Sequence, residues 1–201
     1  EDTAIQIFNV LNDRGMPLSS VDILKSTLMQ NLSEEDRKVF KANWEKIKTK
    51  LEVEELSFEN LFNTYLYFLK ATNPKTTLHK ELLSTFKNEN SLQLIHKLEN
   101  FADSYVEVRQ LENNYFYCLK YLRHSIYWES ILTTAKYENY KYFDELLKLL
   151  VAYYYQNWIV GATVARIKQP SFNILKALKN SQPISEIKKI LQEKTTKRSY
   201  Y

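Results

Sequence analysis

Three groups of residues in this 201-residue chain have types and spacings that can do chemistry. The first is the turn Asn12-Asp13-Arg14-Gly15. Its arginine presents a planar guanidinium fork suited to a phosphate, and Asn12 can hydrogen-bond across the turn. Gly15 suits the positive φ at which a helix ends. The same residues have a structural use, in which Asn12, Asp13 and Gly15 shape the helix end and Arg14 makes an ion pair. The second group is basic. Arg166, Lys168, Lys176, Lys179, Lys188, Lys189, Lys194, Lys197 and Arg198 stand against Glu186 and Glu193 alone, a balance of +7, whereas residues 1–165 carry 19 Lys/Arg against 22 Asp/Glu. Clustered cations neutralise phosphates and release counterions, so these nine are candidate DNA-backbone contacts. Lysines near helix C-termini also complement the helix dipole and solubilise an exposed face. Both uses stay open here. The third group, Glu186-x-Lys188 after Pro183, has the acid-x-Lys spacing of magnesium-dependent nucleases. Those sites need a strand, and this pair falls on a helix whose core face is Ile187, Ile190 and Leu191.

Other chemistries find no footing. His79, His96 and His124 are far apart, and no Glu has a His three residues later, the spacing that di-iron bundles use. No metal site and no catalytic residue is therefore expected. Cys118, between Tyr117 and Leu119, reads as a small buried hydrophobe, and a single cysteine forms no internal disulfide. With Gly15 and Gly161 as the only glycines, no phosphate-cradling loop can be built.

The elements that position these residues are helices. Two glycines and four prolines are too few for the frequent turns of a sheet protein. The expected fold is all-α, an irregular bundle of about nine to ten helices. Ala4, Ile7, Phe8 and Leu11 share one helical face, and Ser19 with Asp22 forms a capping-box variant opening the next helix. Ser33, followed by Glu34, Glu35 and Asp36, opens a helix burying Phe40, Trp44, Ile47 and Leu51. Ser57 opens another that stops before Pro74, and a shorter one follows Thr77. Ser91 caps a long helix carrying Leu94, Leu98, Phe101, Tyr105 and Val108. Further helices are expected at about 113–125, 127–138, 143–165, 171–180 and 184–194. The most apolar, 143–165, is the expected buried centre of the bundle rather than a membrane span, since Lys148, Gln156 and Asn157 interrupt it. The 15 tyrosines could serve aromatic stacking on nucleic-acid bases, but most fall where helices need amphipathic bulk.

The pattern Ala4-x-x-Ile7-Phe8-x-x-Leu11-Asn12-x-Arg14-Gly15-x-Pro17-Leu18-Ser19-x-x-Asp22-x-Leu24-Lys25 resembles the end of the ParB-like N-terminal nucleotide domain of the GmrSD family, modification-dependent (type IV) restriction endonucleases related to phage-defence proteins. A softer likeness runs from Tyr155 to Gly161 and on to Phe172-Asn173-Ile174-Leu175, although Gln156 and Asn157 stand where the family has Arg. The resemblance implies residues 1–30 as the end of the nucleotide domain and 31–201 as a helical middle region. It implies a parent that uses nucleoside triphosphate and a divalent metal to cleave DNA. The family's Asp-Gly-Gln-Gln-Arg motif and His-centred HNH nuclease motif do not occur in the chain. The expected role is thus a non-catalytic fragment with no cofactor of its own, whose partners are flanking domains and duplex DNA. Asn12, Arg14 and Gly15 would then lie beside the nucleotide site. With no signal-like N-terminus, a cytoplasmic setting and no membrane partner are expected. The competing expectation is a stand-alone helical protein–protein interaction module. An exposed Tyr/Trp patch would mark that module, and an unbroken Lys/Arg stripe would mark nucleic-acid binding.

Overall fold

A computed structural model describes residues 19–192. Among them are ten helices and no strand: α1 (Ser20–Met29), α2 (Glu34–Val53), α3 (Phe58–Lys70), α4 (Leu78–Phe86), α5 (Ser91–Arg109), α6 (Asn114–Lys120), α7 (Ser125–Tyr137), α8 (Phe143–Ile159), α9 (Val164–Lys179) and α10 (Ile184–Gln192). Their starts are set by short polar side chains. Ser19, Ser33 and Ser57 accept from the backbone N–H three residues on, at 3.1, 3.1 and 3.2 Å, each relieving one of the unpaired donors of a first turn. The Ser19 hydroxyl also donates to the Asp22 carboxylate at 2.7 Å, so the box closes through the side chains. At α5 the cap is Asn90, not Ser91: its Oδ1 accepts from the N–H groups of Leu92 and Gln93.

The apolar faces meet in two cores. Leu24, Phe40, Trp44, Ile47, Leu51, Leu61, Phe62 and Phe101 belong to the first, built from α1–α5. The expected face of α2 is fully buried there, with Trp44 stacked on Phe58 at 4.6 Å between ring centroids. The second core joins Phe116, Trp128, Leu146, Leu150, Phe172, Leu175 and Ile187 from α6–α10. Rings cross between them. Tyr67 of α3 lies 5.7 Å from Tyr127 and 5.3 Å from Phe172, and Tyr137 of α7 meets Phe68 edge-on at 5.1 Å.

The buried centre is α7 and not the more apolar 143–165 segment. Tyr127 through Ala135 are all buried, enclosed by α3, α5 and α9. The apolar segment forms α8, which is shorter than expected and ends at Ile159, with Trp158, Ile159 and Val160 exposed. Gly161 explains the stop. At φ +60° it lets the N–H of Ala162 reach the Asn157 carbonyl at 2.8 Å, the six-to-one bond of a Schellman ending.

A second boundary differs. The helix expected at 171–180 begins at Val164 and runs through Pro170. Proline has no N–H, so the Arg166 carbonyl one turn back loses its helical donor. The Tyr153 hydroxyl of α8 replaces it, donating to that carbonyl at 3.1 Å. Tyr153→Phe should therefore lower stability by about 1–2 kcal/mol. In a Pro170→Ala background, where the backbone donor returns, the same change should cost less. Urea denaturation of the four members of the cycle measures the difference.

Candidate functional site

Asn12, Arg14 and Gly15, with Lys194, Lys197 and Arg198, lie outside the described residues. The remaining basic candidates lie on α9 and α10 and differ in their partners. Lys179 donates to the Leu69 carbonyl at 2.8 Å and sits 5.1 Å from the Phe68 ring centroid, closing the C-terminal end of α3. Lys188 binds Glu145 of α8 and Lys189 binds Glu186, both at 2.6 Å. Glu186 and Lys188 thus have separate helical partners and form no nuclease pair. Lys168 and Lys176 make no ion pair among the described residues, and Arg166 is half-buried at the start of α9.

The histidines are dispersed. His79 Nδ1 and Nε2 lie 3.2 Å from the Ser20 hydroxyl and 3.4 Å from that of Thr77. His96 Nδ1 is 3.5 Å from the Asn43 amide, and His124 is the left-handed residue before α7. Among the described residues no three His, Cys, Asp or Glu side chains are grouped to hold a metal. Cys118 is half-buried, and its carbonyl accepts from the Tyr155 hydroxyl at 3.2 Å.

Two carboxylates are buried and fully engaged. Glu81 binds the Lys70 ammonium and accepts the backbone N–H groups of Lys75 and Thr76 at 2.6 and 2.9 Å, fastening the loop before α4 to its first turn. The Lys70 bond, then those two N–H donors, hold its carboxyl down at about 2. Glu129 of α7 pairs with Arg109 of α5 at 2.6 Å. Burial pushes its carboxyl up, and the arginine offsets only part of that.

One surface that sequence reasoning missed is aromatic. Tyr115, Tyr117 and Tyr121 on and after α6 and Trp158 on α8 are the exposed rings among the described residues. Helices α6 and α8 run side by side in the same direction: Lys148 Nζ lies 5.6 Å from the Tyr115 ring, and Tyr155 reaches Cys118 further along. Trp158 packs edge-on to Tyr155 at 6.0 Å. Lys120 Nζ is 5.9 Å from the Tyr117 ring. The strip ends in an open cleft of about 360 Å³ bounded by Arg123, His124, Trp158 and Gly161. Its signal in the sequence is the carboxylate-free stretches 113–128 and 146–185, which these helices bring together.

Comparison with protein-family models, characterised proteins and solved structures finds no match to this chain. No helix among the described residues is long and apolar enough to cross a membrane.

The carboxylates make two predictions. Glu81 ionises more readily folded than unfolded, so its stabilisation is present above pH 4.5 and lost as pH falls toward 2. Melting temperatures of the chain and Glu81→Gln should differ at neutral pH and converge across that window. Arg109→Ala strands a buried carboxylate and should destabilise by about 3 kcal/mol, whereas Arg109→Ala with Glu129→Leu should recover much of the loss in denaturant titration.

Proposed function

We propose that the chain is the helical connecting region of a GmrSD-like restriction protein of phage defence, joining a nucleotide-hydrolysing domain to an HNH-type nuclease domain and catalysing neither step. The observation that carries this reading is the pattern from Ala4 to Lys25. Its second half is built into the bundle, which supports a relay. Ser19 caps α1, Leu24 is fully buried, and α1 packs on α3 and α4. A displacement of the preceding segment would thus reach the first core as a rigid-body shift, and α7 would pass it to the second. The nucleoside triphosphate and divalent metal belong, on this reading, to the flanking domains, in a cytoplasmic enzyme that meets incoming DNA. Of the described basic candidates, Lys168 and Lys176 remain open to the duplex phosphates.

A second reading, a stand-alone interaction module, draws on the exposed strip of Tyr115, Tyr117, Tyr121 and Trp158. The gene itself separates the two. Sequencing outward from the codons for Glu1 and Tyr201 should find Asp-Gly-Gln-Gln-Arg upstream and a His-centred nuclease motif downstream. A start codon directly before Glu1 with a stop directly after Tyr201 removes the connector reading and leaves the module.

A further inference from the structure

The exposed aromatic rings of the described residues are concentrated on α6, α8 and the turn after α6, in stretches of the chain that hold cations and no carboxylate. Tyr121 is 87% exposed and Trp158 63%, whereas Trp44 and Trp128 are 3% and 1% exposed. Interleaved with the rings are Lys120, Arg123 and Lys148, all exposed. No Asp or Glu lies in 113–128 or 146–185. The nearest carboxylates along the two helices are Glu112, Asp144 and Glu145, all at the end where α6 and α8 begin, and Glu145 is paired with Lys188. Potential therefore rises along the strip toward the Arg123 cleft. From Lys148 to Trp158 the helical rise gives it a length of about 15 Å.

We propose that this α6–α8 strip binds single-stranded nucleic acid, with bases stacking on Tyr117, Tyr121 and Trp158 and phosphates following Lys120, Arg123 and Lys148. Base–aromatic stacking needs a planar face and no particular hydrogen-bond code, and a positive track holds the backbone beside it. A duplex offers the phosphates but keeps its base faces inside the stack, so rings on a helix surface cannot reach them. A second copy of this chain would set cation against cation. A bilayer would call for a broader aliphatic surface than Ile159 and Val160 supply. The inference stands on this surface alone and is independent of the restriction-protein reading.

The test uses the whole chain with a fluorescent oligo(dT) of about twelve nucleotides, within the site sizes of such platforms, at about 50 mM salt. Anisotropy should rise on binding and tryptophan emission should fall, because Trp158 is the exposed indole among the described residues. Tyr121→Ala and Trp158→Ala should each weaken binding by about 5- to 100-fold. Lys120→Ala and Arg123→Ala should each reduce the slope of log K against log salt by about 0.7. Circular dichroism confirms that each variant stays folded, and oligo(U) in parallel tells RNA from DNA. The proposal is overturned if the oligonucleotide does not bind, if duplex of equal length binds as well and ignores the ring variants, or if Lys176→Ala and Lys189→Ala weaken binding while the strip variants do not. Binding only to vesicles of phosphatidylcholine and phosphatidylserine would overturn it in favour of a membrane surface.

Discussion

Helix α7 sets the terms for the rest of the molecule. Nine successive residues, Tyr127 to Ala135, are buried, so no side of this helix faces water and every neighbour must fit it. An enclosed helix has to satisfy its own polar atoms. Ser130 does so locally, donating to the Ile126 carbonyl, and Glu129 does so by drawing Arg109 across from α5. The hydroxyls of Thr133 and Thr134 find no partner among the described residues, each a cost of about 1–3 kcal/mol. What offsets that cost is apolar burial: Tyr127, Trp128, Ile131 and Leu132 of the same run are buried in the second core. The two cores share α7 as their common wall.

That arrangement explains what was legible in the sequence and what was not. Local signals were. The serine caps of α1, α2 and α3 and the Phe40-Trp44-Ile47-Leu51 face depend on residues within a turn or two of each other, and spacing alone reveals them. The centre of the bundle was not legible, because hydropathy ranks helices by their own composition. Glu129, Ser130, Thr133 and Thr134 make α7 look like a surface helix, and only the partner Arg109, twenty residues away, makes its burial tolerable. Pro170 misled for a related reason. A proline is a barrier in an isolated helix, but a tyrosine from α8 supplies the missing donor, and nothing near Pro170 in the chain announces it. Of the candidate site, the turn at Asn12–Gly15 lies outside the described residues, so only its downstream cap at Ser19 can be placed.

Scarcity of glycine also hides helix ends from the sequence. Four helices end with the same six-to-one bond, after Glu55, Asn139, Gly161 and Ser181, each at positive φ. Asparagine and glycine take that conformation readily, whereas Glu55 and Ser181 hold it against about 1 kcal/mol or more of strain. A chain with two glycines can therefore still turn sharply and often, provided that its cores over-determine the turns. Helix ends of this kind leave little trace in composition, and the stop of α8 was readable only from Gly161 itself.

Charge shows the same dependence on folding. The +7 balance after residue 165 suggests a basic face, yet the fold brings Glu145 to Lys188 and the Leu69 carbonyl to Lys179, while Glu186 takes Lys189. Cations without an ion pair among the described residues lie instead at Lys120, Arg123 and Lys148, in stretches of the chain around α6 and α8 that hold no carboxylate. Net charge counted along a sequence registers how many cations a segment holds. It does not register how many anions the rest of the chain carries to them. A stretch free of carboxylates is the more informative feature, because its cations have fewer local partners, and here it coincides with the exposed aromatic rings.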